Sequence, residues 1–154
     1  MKSIIFICQG NICRSPMAEF ILKDKLNKLN LLSSFKVTSA ALESSTHNED
    51  MDERAKEQLK KHNIPFTKHY AHQLTIPEFM AADYVIVMEK YQKILIKRML
   101  NSSKGIHKVE RLLHYSEKDG DIIDPYFFNN FEEAYNNIEK GIDGFINKEL
   151  IPNN

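Results

Sequence analysis

The sequence predicts an α/β domain built on a mostly parallel sheet. Apolar runs of strand length alternate along the chain with segments whose apolar residues recur at helical spacing, and this alternation is typical of a parallel sheet covered by helices. A chain of 154 residues fits one domain and can form one core without disulfides or a structural metal. No repeat, low-complexity segment or composition shift marks a linker, so we expect a single domain over residues 1–154.

Four short runs are predicted strands. Ser3–Cys8 and Tyr84–Met88 are almost continuously apolar, as expected for strands buried on both faces. Phe35–Ser39 alternates apolar and polar residues, and Val109–His114 completes the predicted set. His69–Leu74 is a candidate for one further short segment.

Four segments are predicted helices. The first opens at Pro16, since proline is favourable in the first turn of a helix, and continues to Asn30. The others are Asp50–His62, Lys90–Leu100 and Phe131–Leu150.

Composition excludes several classes of function. The 21 basic and 21 acidic side chains balance, which argues against a general nucleic-acid-binding protein. Two cysteines are too few for a disulfide scaffold, and the apolar run Ile4–Ile7 is too short for a signal peptide or a membrane span. We therefore expect a cytoplasmic protein without membrane or nucleic-acid partners, with secretion by a signal-free route left open.

The residues between the first predicted strand and the first predicted helix form a candidate phosphate-binding loop. Successive backbone N–H groups ahead of a helix N-terminus can bind a dianion, and an arginine can bind two phosphate oxygens with its planar fork. Glycine and asparagine accept the backbone conformations that such a loop needs. The loop consists of Cys8, Gln9, Gly10, Asn11, Ile12, Cys13, Arg14 and Ser15.

Cys8 is the candidate nucleophile of this loop. Converging N–H dipoles and Arg14 favour its thiolate form, and Ser15 could donate a hydrogen bond to that thiolate. An isolated cysteine at the end of a strand is usually a core residue, but the combination with the rest of the loop indicates catalysis. Cys8 and Cys13 alone are too few to close a zinc site, so no metal or cofactor is predicted.

Asp124 is the candidate general acid, because phosphoryl transfer needs a proton for the leaving oxygen. The proline that follows it restricts its backbone to extended conformations, and the aromatic residues Tyr126 and Phe127 come next. Asp119 and Asp121 compete for this role, but they lie in a charged loop.

Two segments together resemble the low-molecular-weight protein tyrosine phosphatases: CQGNICRSPMAE, which begins at Cys8, and DPYF, which begins at Asp124. Further similar segments follow in the family's order: SAA from Ser39, D-x-R from Asp52, HNIPF from His62, DYVIVM from Asp83 and FEEAY from Phe131. The resemblance implies a four-stranded parallel sheet flanked by helices on both faces. It also implies hydrolysis of phosphomonoesters through a phosphocysteine intermediate, without metal or cofactor.

The resemblance assigns roles to residues of the loop. Cys8 is the nucleophile, Arg14 holds the phosphoryl oxygens, and Asp124 acts first as acid and then as base. Asn11 shapes the loop and Ser15 supports the thiolate.

The resemblance also implies supporting residues. Cys13 is the partner of Cys8 in a reversible disulfide, with a packing role as the alternative. Ser39 braces the loop asparagine, and His69 is the candidate for the histidine that does the same, with His72 and His62 left open.

The sequence departs from the family pattern around the substrate pocket. Gln9 replaces the usual leucine beside the nucleophile, and Ser45 stands where an aromatic residue usually forms one wall. Tyr126 and Phe127 could form the other wall.

The substrates that the resemblance implies are tyrosine-phosphorylated proteins, with inorganic phosphate as product or inhibitor.

Two other functions compete with this interpretation. An arsenate reductase on the same scaffold would have to use an external thiol, since only Cys8 and Cys13 are present. A phosphate-binding protein that has lost catalysis is the second, although it would not need Asp124. A nucleotide-binding loop is disfavoured because no G-x-x-x-x-G-K-[ST] pattern occurs.

Overall fold

The computed structural model describes residues 1–151 and forms a four-stranded parallel sheet in the order β2-β1-β3-β4. Its strands are β1 (Lys2–Cys8), β2 (Phe35–Ala41), β3 (Tyr84–Val87) and β4 (Val109–Arg111). The predicted single α/β domain is therefore confirmed.

Six α-helices lie within the described residues: α1 (Arg14–Lys28), α2 (Glu53–Lys61), α3 (Ile76–Ala81), α4 (Lys90–Leu100), α5 (Pro125–Phe128) and α6 (Phe131–Phe145). A π-helical turn, Ile146–Leu150, extends α6, and 3₁₀ turns cover Leu32–Ser34, Ile106–Lys108 and Leu112–Tyr115. Among the helices between residues 1 and 151, none is long and apolar enough to cross a membrane.

Several predicted boundaries are wrong. The first helix begins at Arg14 rather than Pro16, because the amide of Met17 already donates to the carbonyl of Cys13. The fourth strand ends at Arg111 rather than His114, and the chain turns there into a 3₁₀ helix. Helix α3 was not expected at all.

The core lies on both faces of the sheet. Along β1, Ile4 and Phe6 pack on one face with α1, α2 and α6, whereas Ile5 and Ile7 pack on the other with α3 and α4. All four side chains are buried. This two-sided burial explains why the run is continuously apolar rather than alternating.

The position of β1 in the sheet determines where a ligand can bind. β1 pairs with β2 on one side and with β3 on the other, so the connections from these strands diverge at its carboxyl end. Ligands of open α/β sheets bind in such a crevice at the carboxyl ends of the strands. The candidate phosphate-binding loop follows β1 at that edge.

Candidate active site

The loop after β1 wraps around the sulfur of Cys8. The amides of Asn11 and Ser15 lie 3.2 and 3.4 Å from Sγ, and the Ser15 hydroxyl oxygen lies 3.0 Å from it. Asn11 has a left-handed backbone, with φ of 59°, and this conformation turns its amide inward. The side chain of Cys8 is almost fully buried beneath the loop.

A pocket opens above this sulfur. It is lined by Cys8, Gln9, Gly10, Ile12, Cys13, Arg14, Glu43, Thr46, Glu49, Asp124, Tyr126 and Phe127. The predicted catalytic residues therefore line one pocket together with the two predicted aromatic residues. Asn11 and Ser15 are not among the lining residues, since their side chains lie beneath the loop.

Arg14 is the first residue of α1, and its side chain is only 1% exposed. Its Nη1 donates to Glu89 Oε2 and to the carbonyl of Ile122, each at 2.7 Å, and its Nη2 lies 3.6 Å from Asp124 Oδ2. Burial by itself lowers the pKa of Arg14, but Cys8, Glu89 and Asp124 outweigh burial and raise the pKa above its ordinary value. The guanidinium is therefore a fixed positive charge at the wall of the pocket.

A chain of hydrogen bonds fixes the orientation of the Ser15 hydroxyl. Asn11 Nδ2 donates to Ser15 Oγ at 2.8 Å and to Ser39 Oγ at 3.0 Å, and Ser39 in turn donates to Glu19 Oε1 at 2.6 Å. Because Ser15 Oγ accepts from Asn11, the hydroxyl hydrogen of Ser15 is available for Cys8 Sγ. The structure thus joins Ser39 to the loop asparagine, and it adds Glu19, which the sequence did not single out.

The histidine that contacts this asparagine is His69. Its Nε2 lies 2.8 Å from the carbonyl oxygen of Asn11 and 3.1 Å from Asn11 Oδ1. Since both partners are acceptors, Nε2 carries the hydrogen. Burial lowers the pKa of His69, which keeps the ring neutral near pH 7. His72 contributes its backbone amide to the same Oδ1 at 3.3 Å, whereas His62 stacks on Tyr135.

Asp124 lies at the mouth of the pocket with an extended backbone, as its following proline predicts. Its Oδ1 accepts from the amide of Tyr126 at 3.0 Å and so caps α5. The competing acids Asp119 and Asp121 both pair with Arg111 and do not line the pocket.

One wall of the pocket is polar. Gln9 donates to Glu43 at 2.7 Å and accepts from the hydroxyl of Tyr91 at 3.0 Å. Ser45 is exposed and donates to Glu43, and it does not line the pocket. The aromatic residues Tyr126 and Phe127 line the pocket as well.

Cys13 is the second thiol of the pocket, and both cysteines are free. Burial, followed by the charges of Cys8, Asp52 and Asp124, raises the pKa of Cys13 far above its ordinary value. Its thiol is therefore protonated at neutral pH.

Glu89 is a site residue whose role the sequence did not reveal. It lies two residues after the end of β3, at the same sheet edge as the loop, and its carboxylate pairs with the buried guanidinium of Arg14. The available signal was its position, because an acidic residue at the carboxyl end of the neighbouring strand reaches the same crevice.

The parallel α/β sheet and the cysteine-containing loop between β1 and α1 together define a class of protein, in which such a loop binds phosphate. The family model "Low molecular weight phosphotyrosine protein phosphatase" matches residues 3–153. A human protein of that name is 33% identical over 151 residues, which cover 96% of this chain and 95% of the relative. PtpA of Staphylococcus aureus, a low molecular weight protein-tyrosine-phosphatase, is 35% identical over 151 residues, which cover 95% and 92% of the two chains.

A solved structure has the same fold. The crystal structure of YfkJ from Bacillus subtilis superposes with a TM-score of 0.91 at 33% identity, covering 95% of this chain and 92% of that one. The chain belongs to the low molecular weight phosphotyrosine protein phosphatase family. It is thus a protein-tyrosine-phosphatase, a hydrolase.

Proposed function

We propose that this protein hydrolyses phosphotyrosine in proteins through a phosphocysteine on Cys8, with Arg14 binding the phosphoryl group and Asp124 acting as acid and base. One observation carries the proposal. The Cys8 sulfur lies within 3.4 Å of two backbone amides and a serine hydroxyl, at the floor of a pocket that Arg14 and Asp124 also line.

The loop supplies the charge that a phosphoryl dianion needs. The N-terminus of α1 carries no acidic residue in its first turn, so its positive end is open to an anion. Because Glu89 and the Ile122 carbonyl hold Nη1 of Arg14, we expect Nε and Nη2 to bind two phosphoryl oxygens in the bidentate manner of guanidinium groups.

In the first chemical step, the thiolate of Cys8 attacks phosphorus. The S–P bond forms while the bond from phosphorus to the tyrosine oxygen breaks, and the protonated carboxyl of Asp124 gives its proton to that oxygen. Such assistance matters for tyrosine, since its phenol is a weak acid and its anion is a poor leaving group.

In the second step, water attacks the phosphocysteine. Asp124, now ionised, takes a proton from the water as the new P–O bond forms and the S–P bond breaks. The hydroxyl of Ser15 donates to the sulfur that leaves as thiolate. The products are inorganic phosphate and the starting enzyme.

The walls of the pocket fit an aryl ester. Tyr126 and Phe127 line one side and the apolar Ile12 lines the loop, so a phenyl ring of the substrate gains apolar contact there. Gln9 and Glu43 make the other side polar, which leaves the recognition of the surrounding peptide to hydrogen bonds and charge.

The acid assignment is tested by comparing esters with good and poor leaving groups. We expect Asp124→Ala to lower kcat/KM for phenyl phosphate by about 10² to 10⁴, and to lower it much less for para-nitrophenyl phosphate, whose phenol needs no proton. The ratio kcat/KM is the readout because it covers the steps up to release of the phenol and excludes the hydrolysis of the phosphocysteine, in which Asp124 acts as base for both esters alike. Asp119→Ala removes a nearby acid outside the pocket and serves as the matched control, with wild-type rates expected for both esters. An equal fall in kcat/KM for both esters in Asp124→Ala would refute the assignment as acid.

The nucleophile is tested with Cys8→Ser. This variant should lose turnover of both esters and should still bind inorganic phosphate, since the amides and Arg14 remain. Residual turnover near the wild-type rate would show that Cys8 is not the nucleophile. A wild-type protein that binds phosphate without any turnover would instead be a phosphate-binding protein that has lost catalysis.

We also propose that Cys13 is the redox partner of Cys8, since both thiols line one pocket. A peroxide would oxidise the Cys8 thiolate to a sulfenic acid and release hydroxide. The Cys13 thiol would then form the S–S bond with release of water, and a dithiol reductant would reverse it. After a peroxide pulse, dithiol should restore activity to wild type but not to Cys13→Ser; equal recovery would contradict this role.

A further inference from the structure

Asp52 and Arg54, at the start of α2, contact both loops of the active site. The backbone amide of Asp52 donates to the carbonyl of Ile12 in the phosphate-binding loop at 2.9 Å. The Asp52 carboxylate accepts from Arg54 Nε at 3.0 Å and from Nη2 at 2.9 Å. This two-point contact fixes the guanidinium plane relative to the phosphate-binding loop.

The other side of this guanidinium faces the segment that carries Asp124. The Arg54 carbon Cζ lies 5.2 Å from the ring centre of Tyr126 and 4.7 Å from that of Phe131. Its Nη1 donates to the carbonyl of Tyr126 at 3.3 Å and to the side-chain oxygen of Asn129 at 3.4 Å. Arg54 therefore joins α2 to both ends of α5.

The segment after Asp124 has few other anchors. Within residues 123–130 only Pro125 is buried, and the side chains of Phe127 and Phe128 are 78% and 71% exposed. Over the part of the chain that the structure describes, the hydrogen bonds that reach residues 125–129 from other elements all come from Arg54. Asp124 is anchored on its other side, where buried Ile122 bonds to Met88 and Arg14, so Arg54 is the contact that holds the side after Asp124.

We propose that Arg54 is a positioning residue for the general acid: it holds the segment that begins with Asp124 at a fixed distance from the phosphate-binding loop. The proposal rests on the acid role assigned to Asp124 above. Arg54 does not line the pocket and does not touch the reacting atoms. Its effect is geometric, since displacement of a catalytic group by about 1 Å can slow a reaction about a hundredfold.

A purely structural role for Arg54 makes a different prediction. If Arg54 only stabilised the start of α2 through Asp52, its loss would lower the stability of the fold and would slow all substrates alike. A misplaced acid instead slows the first chemical step, which kcat/KM reports, only for those esters whose leaving oxygen needs a proton. The ratio of the rates for phenyl phosphate and para-nitrophenyl phosphate therefore distinguishes the two roles.

The experiment measures kcat/KM for both esters in wild type, Arg54→Gln, Asp124→Ala and the double variant, since kcat/KM excludes the hydrolysis of the phosphocysteine that is common to both esters. We expect Arg54→Gln to slow phenyl phosphate about tenfold to a hundredfold and para-nitrophenyl phosphate less than about threefold. In the Asp124→Ala background Arg54→Gln should change neither rate further, because effects of groups that act as a unit are not additive. Lys60→Gln, an exposed charge removal on the same helix, is the control and should match wild type.

Arg54→Lys is the second variant, since it keeps the charge but cannot stack and bind as a planar fork. It should show the same selective loss, and it keeps the test available if Arg54→Gln does not fold. Equal slowing of both esters, or a full additional effect of Arg54→Gln in the Asp124→Ala background, would overturn the proposal while leaving the acid role of Asp124 intact. If Asp124→Ala itself lacks leaving-group selectivity, the acid role and the positioning role both fail.

Discussion

At the scale of single residues, Asn11 links the shape of the candidate phosphate-binding loop to the hydrogen bonds beneath it. Its backbone has a φ of 59°, and its buried side chain contacts Ser15, Ser39, His69 and the amide of His72. The left-handed conformation is unfavourable for residues with a Cβ by about 1–2 kcal/mol, although asparagine tolerates it better than most. Substitutions of Asn11 can therefore separate the loss of its side-chain hydrogen bonds from the cost of its left-handed backbone.

We predict that Asn11→Ala destabilises the protein by about 3 kcal/mol, because the buried partners lose their hydrogen bonds and alanine resists the left-handed backbone. Asn11→Gly loses the same bonds but adopts this backbone easily, so it should be about 1 kcal/mol more stable than Asn11→Ala. Urea unfolding of wild type, Asn11→Ala and Asn11→Gly measures both differences in the free energy of unfolding. If alanine and glycine variants were equally stable, the backbone conformation would carry no cost here.

The sequence was sufficient for some residues of the site and not for others. Cys8 and Arg14 could be predicted because they lie in one continuous loop, whose spacing is itself the signal. Glu89 and Arg54 reach the site from separate elements, and their contacts depend on how β3 and α2 are placed around that loop. A pairing of that kind is set by tertiary packing, which a pattern of residue types along the chain does not encode.

At the scale of elements, helix α6 lies unusually close to the 3₁₀ turn Leu112–Tyr115. A Cβ on Gly144 would lie 2.0 Å from the carbonyl oxygen of Tyr115, and one on Gly141 would lie 2.5 Å from Leu112 Cγ. Glycine at both positions, three residues apart on one helix face, allows this contact. Both leucines of the turn, Leu112 and Leu113, are buried in this contact region.

This contact explains why the fourth strand is shorter than predicted. Leu112 and Leu113 are consecutive and both pack into the same core cluster, on the side of the sheet that α6 covers, whereas a strand would direct them to opposite faces. The 3₁₀ turn lets both reach the core beside α6. Helix α3 was missed for another reason: its signal is the capping box formed by Thr75 and Glu78, which is local and needs no long apolar repeat.

We predict that Gly144→Ala destabilises the fold by about 2 kcal/mol, since the new methyl group meets backbone atoms that cannot move away. Helix propensity alone predicts the opposite sign, a gain of about 1 kcal/mol. Asn136→Ala, at an exposed position of α6, is the control and should be as stable as wild type or slightly more so. Urea unfolding of both variants decides; a Gly144→Ala protein at least as stable as wild type would contradict the close contact.

At the scale of the whole molecule, the candidate phosphate site is assembled from distant parts of the chain. Its lining residues come from the loop after β1, from the segment after β2 and from the segment around Asp124, and Arg14 is held by Glu89 after β3. Unfolding any of these elements removes part of the site. A ligand that binds here stabilises the entire fold rather than one loop.

We therefore predict that inorganic phosphate raises the melting temperature, with a stabilisation of about 2.7 kcal/mol at a hundredfold excess over its Kd. Cys8→Ser should keep this shift, since the amides and Arg14 bind the anion. Arg14→Lys should lose most of it, because lysine cannot bind two oxygens as a fork.

Phosphate also stabilises proteins by exclusion from their surface, but that effect acts equally on both variants. Calorimetry of the three proteins in phosphate, and in sodium chloride at equal ionic strength, isolates the site-specific part; equal shifts in Arg14→Lys and wild type would mean that the anion binds elsewhere.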